Sequence, residues 1–191
     1  GITAYHAAKK AVDGLNPGDA AVVIGIGGLG HIGLQCLNEM SAADLIAVDI
    51  KESARELAGD LGAHYTVDPQ SEDVADAVAD ITDDVGAAQV LDFVGADETT
   101  ALAPDICAAG GDHHIIGYGG HIHEPAQALV NGEFAFQGNI VGRYAELQEL
   151  VALVERDAVD LHTTRYDLDA VNEVAEKLEH GEIDGRAVIT P

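Results

Sequence analysis

The 191 residues predict an α/β chain, in which a doubly wound parallel sheet with helices on both faces is followed by a helix-helix-strand tail. Three observations carry that expectation. Residues 20–24 read AAVVI, an apolar and partly β-branched run suited to a strand buried on both faces. A glycine cluster follows at once, Gly25, Gly27, Gly28 and Gly30, with Gly33 one turn further on, and Leu29, Ile32, Leu34 and Leu37 then recur at helical spacing. Downstream, strand-like and helix-like stretches alternate, the pattern of parallel βαβ units.

Taken in order, residues 3–12 form a helical lead-in, and Asn16-Pro17-Gly18-Asp19 is the turn that launches the first strand. A second strand over 45–48 (LIAV) ends in Asp49, and a helix over 51–61 is stopped by Gly62. A strand is expected over 64–67, a helix over 72–82, a strand over 88–93, a helix over 97–108 and a strand over 113–116, before Gly117-Tyr118-Gly119-Gly120. From Asn139 the pattern changes. Residues 140–142 read as a last strand, 146–155 and 168–180 as amphipathic helices, and 187–189 as a short strand. Leu147, Leu150, Val151 and Val154 share one helix face, and Val171, Val174, Ala175 and Leu178 share the other's. The chain therefore divides into a sheet domain over 1–141 and a C-terminal segment over 142–191.

A glycine pattern alone is a weak signal, but its place between strand and helix sharpens it into a Rossmann fingerprint. Gly25 permits the tight turn, Gly27 lets a pyrophosphate approach the backbone, and Gly30 lets helix and strand pack closely. The helix that follows aims its free N–H groups and positive dipole end at the phosphates. Asp49 stands where the fingerprint expects an acid that accepts hydrogen bonds from the adenosine ribose and repels a 2′-phosphate, so NAD is expected rather than NADP. The bland alternative is a glycine-rich turn with Asp49 as a helix cap.

Thirty-four acidic against nine basic residues leave a net charge of -25, which repels nucleic acid and anionic membranes, so neither is an expected partner. Only Lys9, Lys10, Lys51 and Lys177 are lysines, and acids spread through the helices suggest adaptation to a high-salt cytoplasm. Cys36 and Cys107 belong to no CxxC pair and read as small buried side chains. No apolar run reaches membrane-spanning length, and the opening GITAYHAAKKA has no signal-peptide core. His113-His114 and His121-x-His123 flank the fifth-strand turn, and apart from nearby Glu124 no Cys or carboxylate completes a metal-binding set. His6 reads as a helix-face residue, and His31 as capping or lining the glycine turn.

GITAYHAA, then PGDAAVVIGIGGLGHIGLQ, VDIKESARELAGDLGAHYTVD and the terminal HGEIDGRAVI together resemble the cofactor-binding half of zinc-dependent, medium-chain alcohol dehydrogenases. The resemblance covers the whole chain. It implies that Gly25, Gly27, Gly28, Leu29 and Gly30 hold the pyrophosphate, Asp49 the adenosine ribose, and that Thr3 lies near the nicotinamide. Phe93 would line the cleft, Ile116, Gly117 and Tyr118 would meet the carboxamide and ribose, and Arg186 would pair with the pyrophosphate. It further implies a small alcohol, aldehyde or ketone as substrate, and a homodimer or homotetramer in the cytoplasm. In this family the zinc is held by an amino-terminal domain and by a Cys or Asp just ahead of the GITAY-like helix. No catalytic residue and no metal ligand is therefore assigned here, and the 142–191 segment is expected to return to a catalytic domain outside this chain. Two rivals remain: a zinc-free quinone or enoyl reductase of the same superfamily, and a non-catalytic NAD-sensing module.

Overall fold

The computed structural model describes residues 1–191. Its strands are β1 (Ala20–Ile24), β2 (Asp44–Val48), β3 (Tyr65–Val67), β4 (Ala87–Asp92), β5 (Cys107–Ile115) and β6 (Ala135–Gly138), followed by β7 (Thr163–Asp167) and β8 (Arg186–Thr190). The first six form one parallel sheet in the order β3-β2-β1-β4-β5-β6, and the last two form a small parallel sheet of their own. The expected doubly wound fold is thus the observed one.

β1 is apolar throughout because it is central and covered on both faces, and all five of its residues are buried. It runs in register with β2 from Ala20↔Asp44 to Ile24↔Val48, and with β4 through Val22↔Val90. The side-chain period of two sorts these residues into two cores. Ala21, Val23, Leu45, Ala47 and Leu91 pack under α1 (Ile2–Val12), α2 (Gly30–Met40) and α3 (Glu52–Asp60). Val22, Ile24, Ile46, Val48 and Val90 pack under α4 (Val74–Ile81) and α6 (Ala103–Ile106). Each fully buried Val, Leu or Ile contributes roughly 1.5–3 kcal/mol, so these layers hold the central strands most firmly. α4 starts at Asp73, whose carboxylate accepts from the Ala75 and Asp76 amides at 2.9 and 3.1 Å, a cap that contributes about 1 kcal/mol.

Several boundaries differ from expectation. The helix expected over 97–108 is split into α5 (Asp97–Thr100) and α6, because Pro104 has no N–H to continue the first helix and starts the second. β5 then begins at Cys107, earlier than expected, and slips register against β4 between Ala87 and Gln89, where Gly110 adopts a left-handed φ of 78°. His113 and His114 therefore lie inside β5 rather than flanking its turn. The edge strand is β6, not residues 140–142: Ile140 is 84% exposed and Val141 takes a left-handed φ of 48°. β6 is the segment that meets β5 in register, with Phe136 tilted against His113 at 5.3 Å between rings. α7 (Ala126–Gly132), which buries no residue, and β7, polar and mostly exposed, carry no apolar period and were not expected.

In the tail, α8 (Tyr144–Val154) lies on α1. The Tyr5 hydroxyl donates to Glu149 Oε2 at 2.9 Å, and His6 Nδ1 sits 3.0 Å from Glu146 Oε1. Gln35 joins the tail to α2 with a reciprocal pair, donating to the Asp160 carbonyl at 2.9 Å and accepting from the Asp160 amide at 2.7 Å. Of the apolar faces expected on the two tail helices, only part points inward. Leu150 is buried and Val154 packs on the core, whereas Leu147 and Val151 face solvent. α9 (Val171–Glu179) buries only Val174.

Candidate functional site

β1 and β4 are neighbours whose chains leave to opposite faces, β1 into α2 and β4 toward α5 and α6. A crevice must open where they part, beyond the carboxyl ends of the strands. A cleft of about 760 Å³ lies there, lined by Gly25, Gly27, Gly28, Leu29, Gly30, Asp49, Phe93 and Arg186 among others. Eight of the twelve residues singled out from the sequence thus share one cavity of a size suited to a cofactor.

The floor of the cleft is the turn from β1 into α2. Gly25 has φ 85°, a conformation that favours glycine, and its amide donates to the Val48 carbonyl at 2.8 Å. A Cβ on Gly30 would stand 1.8 Å from the Gly25 carbonyl oxygen, so α2 meets the strand as closely as a backbone can. A Cβ on Gly27 would meet nothing within 4 Å, which leaves its backbone open to the cleft. The amides of Gly27, Gly28 and Leu29 make no hydrogen bond within the chain. Three consecutive free donors at a helix N-terminus form a cradle for an anion. His31 braces the cradle from behind: Nδ1 lies 2.7 Å from the Gly27 carbonyl, and burial pushes the imidazole pKa down, so the ring is the neutral donor of that bond.

Arg186 reaches the same turn from the far end of the chain. β7 and β8 set it there, its amide donating to the His162 carbonyl at 2.9 Å, so that its side chain passes Gly28. On the other side of the turn, Asp49 Oδ2 accepts from the Ile26 amide at 2.7 Å and Oδ1 from the Lys51 amide at 2.9 Å. Asp49 does not cap α3: Lys51 is the residue at that cap, and no side chain bonds the first-turn amides. Lys51, which also lines the cleft, donates through Nζ to the Gly181 carbonyl and stands 3.7 Å from Asp184. Its charge is engaged by the tail.

Beneath the β4 end lies Asp92, fully buried and not anticipated from the sequence. Its Oδ1 accepts from the Val94 and Gly95 amides at 2.9 and 2.8 Å, and its Oδ2 from the Thr99 hydroxyl at 2.6 Å, with His113 Nε2 at 3.5 Å. Burial alone would raise its pKa, but His113, Thr99 and the Gly95 amide hold it below the usual carboxylate range. Asp92 thereby fixes the loop carrying Phe93, Val94 and Thr99, all three in the cleft wall. A lone acid ending an otherwise apolar strand was the available signal.

Four expected site residues lie outside the lining. Thr3 is half-buried in α1. Ile116 is buried in the first core, its amide donating to the Asp92 carbonyl at 2.9 Å, and Gly117 packs its backbone against Val94 and Gly95. Tyr118 is 96% exposed. No cysteine or histidine lines the cleft, whose ionisable groups are Asp49, Lys51, Glu72, Asp73, Glu98 and Arg186. Cys36 is buried and Cys107 half-buried, and burial pushes both thiols up to about 12.

Fold and cleft together define a doubly wound domain with an anion cradle at its switch point, the class built to hold a nucleotide. Residues 28–156 match the family model for zinc-binding dehydrogenases, and the chain belongs to that family. The NAD-dependent alcohol dehydrogenase of Sulfurisphaera tokodaii is 32% identical over 194 residues, a match that covers 100% of this chain and 55% of that protein. The alcohol dehydrogenase of Aeropyrum pernix superposes with a TM-score of 0.96 at 41% identity, over 100% of this chain and 55% of the other. Acetophenone reductase from Geotrichum candidum, solved with NAD, gives 0.86 at 30% identity, covering 100% of this chain and 53% of that one. The chain spans about half the length of the relatives it matches and corresponds to their cofactor-binding half. No helix is long and apolar enough to cross a membrane.

Proposed function

We propose that this chain is the NAD-binding half of an alcohol dehydrogenase, holding the cofactor for hydride exchange with a small alcohol, aldehyde or ketone. The carrying observation is the row of free amides at Gly27, Gly28 and Leu29, opening on a cleft with Asp49 on one side and Arg186 on the other. The pyrophosphate lies on those amides, its charge met by the α2 dipole and the Arg186 guanidinium. The Asp49 carboxylate, already oriented by two backbone donors, accepts from the adenosine ribose. A 2′-phosphate would stand against the Asp49 carboxylate, and Lys51, the nearest cation along the chain, is engaged by Gly181 and Asp184, which supports NAD over NADP. Ile116, Gly117 and Tyr118, at the end of β5, and Thr3 serve the nicotinamide end. Bound there, NAD supplies the hydride acceptor; the chain's own residues hold and orient it.

The zinc that the family's description names would be held by residues outside this chain, and the 142–191 segment would return toward them. The assembly would be a homodimer or homotetramer, working in a high-salt cytoplasm. The relatives from Sulfurisphaera tokodaii and Aeropyrum pernix are alcohol dehydrogenases and that from Geotrichum candidum is an acetophenone reductase, all at 30% identity or more, whereas a quinone oxidoreductase from Pseudomonas syringae, at 21%, shares the fold alone. A titration of NADH fluorescence with this chain should saturate, while a turnover assay with an alcohol and added zinc stays silent. Absence of saturable NADH binding would overturn the proposal.

A further inference from the structure

The sequence placed His121 and His123 two apart but supplied no carboxylate beyond the neighbouring Glu124. The fold brings one from 24 residues upstream. Asp97 Oδ1 lies 3.3 Å from His121 Nδ1, and Oδ2 lies 3.8 Å from His123 Nε2. One ligand atom from each of the three residues falls within 4.8 Å of the other two, and the histidine rings stand 5.6 Å apart between centroids. Two ligands on a tetrahedral zinc, each about 2.0–2.2 Å from the metal, are separated by about 3.4 Å, so these spacings need only small side-chain rotations to close on an ion.

Two of the three groups are held by backbone. The His121 amide donates to Asp97 Oδ1 at 2.6 Å, the buried Thr100 hydroxyl donates to the His121 carbonyl at 2.8 Å, and the Gly120 amide donates to the Gly95 carbonyl at 2.7 Å. A Cβ on Gly120 would stand 2.4 Å from the Asp97 amide, so the loop after β5 and the start of α5 are pressed together. The carboxylate spends one oxygen on the amide and keeps the other for a ligand.

We propose that Asp97, His121 and His123 form a binding site for a divalent transition-metal ion, zinc by its imidazole and carboxylate donors. The three protein ligands leave at least one position open to water. The net charge of -25 draws cations to the surface, and the donor set selects zinc, cobalt or nickel over magnesium or calcium. An ion there staples the loop after β5 to α5, whose Glu98 and Thr99 line the cleft.

Zinc titrated calorimetrically into the metal-free chain should bind with a stoichiometry of one, and cobalt in its place should give the visible absorption of a tetrahedral or five-coordinate site. His123→Ala should weaken zinc by at least about tenfold and abolish the rise in melting temperature that zinc gives the unaltered chain. His180→Ala, at an exposed histidine on the far tail, should change neither. His121→Ala and Asp97→Asn should weaken zinc likewise, but both disturb loop bonds, so His123, which is 72% exposed and bonds no backbone group, carries the decision. Zinc binding that His123→Ala leaves intact, or no saturable binding at all, overturns the site and shows a plain His–Asp ion pair.

Discussion

Asp49 is where one side chain decides between two cofactors. Both its oxygens already accept a backbone amide, so Asp49→Ser removes an oriented acceptor and a negative charge together. NAD should weaken by about 1.5–3 kcal/mol, the cost of losing a hydrogen bond to a charged group, and NADP should gain in relative terms. Parallel fluorescence titrations measure this, and an unmoved NAD/NADP ratio would reduce Asp49 to a brace for Ile26. His114 makes a second residue-scale prediction. Burial against Gln89 pushes its imidazole down to about 4 from an ordinary 6.5. Below pH 6.5 the unfolded chain takes up this proton and the folded chain does not, so stability is lost as pH falls from about 6.5 to about 4, by on the order of 3 kcal/mol. Asp92, held low, adds its own loss only below about pH 3.9, the range of an unfolded aspartate. His114→Gln should make the fall in melting temperature between pH 6.5 and 4 shallower, leaving the part that buried His31 contributes, whereas an unchanged slope would show that the His114 ring titrates normally. Residues like Asp49 were legible because the glycine turn and the acid sit on adjacent strands at a fixed chain spacing. Lys51 and the Asp97 partner of His121 were not, since each acquires its role from a contact across the fold, and Asp92 gains its His113 neighbour the same way.

The turn from β1 into α2 separates packing from binding within one element. Gly30→Ala drives a Cβ into the Gly25 carbonyl and should destabilise the fold by at least the upper part of about 1–3 kcal/mol. Gly27→Ala adds its methyl to open space and should leave stability within about 0.5 kcal/mol, yet lower NADH affinity where the pyrophosphate would cross that backbone. Chemical denaturation and NADH titration of the pair check both halves, and a Gly27→Ala chain that binds NADH normally would move the pyrophosphate elsewhere. At this scale the sequence was readable where an element is buried on both sides. β1, β2 and α2 carry continuous apolar runs or a clear helical period. It was unreadable at the edges: β6 and β7 are chosen by a partner strand rather than by their own pattern, and α7 buries nothing. At residues 97–108 one proline outweighed an otherwise helical composition.

Over the whole molecule, charge and uneven burial set the balance of stability. Eight ion pairs, half of them involving histidine, do little against a net -25, so self-repulsion opposes the compact state in dilute buffer. At 1 M salt the screening length falls to about 3 Å, and melting temperatures in molar KCl should exceed those in dilute buffer. A midpoint indifferent to KCl would remove the support for a high-salt setting. Burial is equally lopsided. β1 and most of β2 lie between two cores, while α9 buries only Val174, β7 is mostly exposed, and Leu168, Val171 and Leu178 face solvent. What ties residues 160–191 to the sheet domain is mainly polar: Gln35 to Asp160, Lys51 to Gly181, and Lys51 and Ser53 to Asp184. Such bonds contribute only about 0.5–1.5 kcal/mol each and open without disturbing either core. Amide hydrogen exchange should therefore be fast across residues 168–189 and slow across β1 and β2, with NADH slowing the amides near Arg186 if its side chain closes on the pyrophosphate. Equal, strong protection of both regions in a monomer would mean that the tail unfolds with the central sheet as a single cooperative unit.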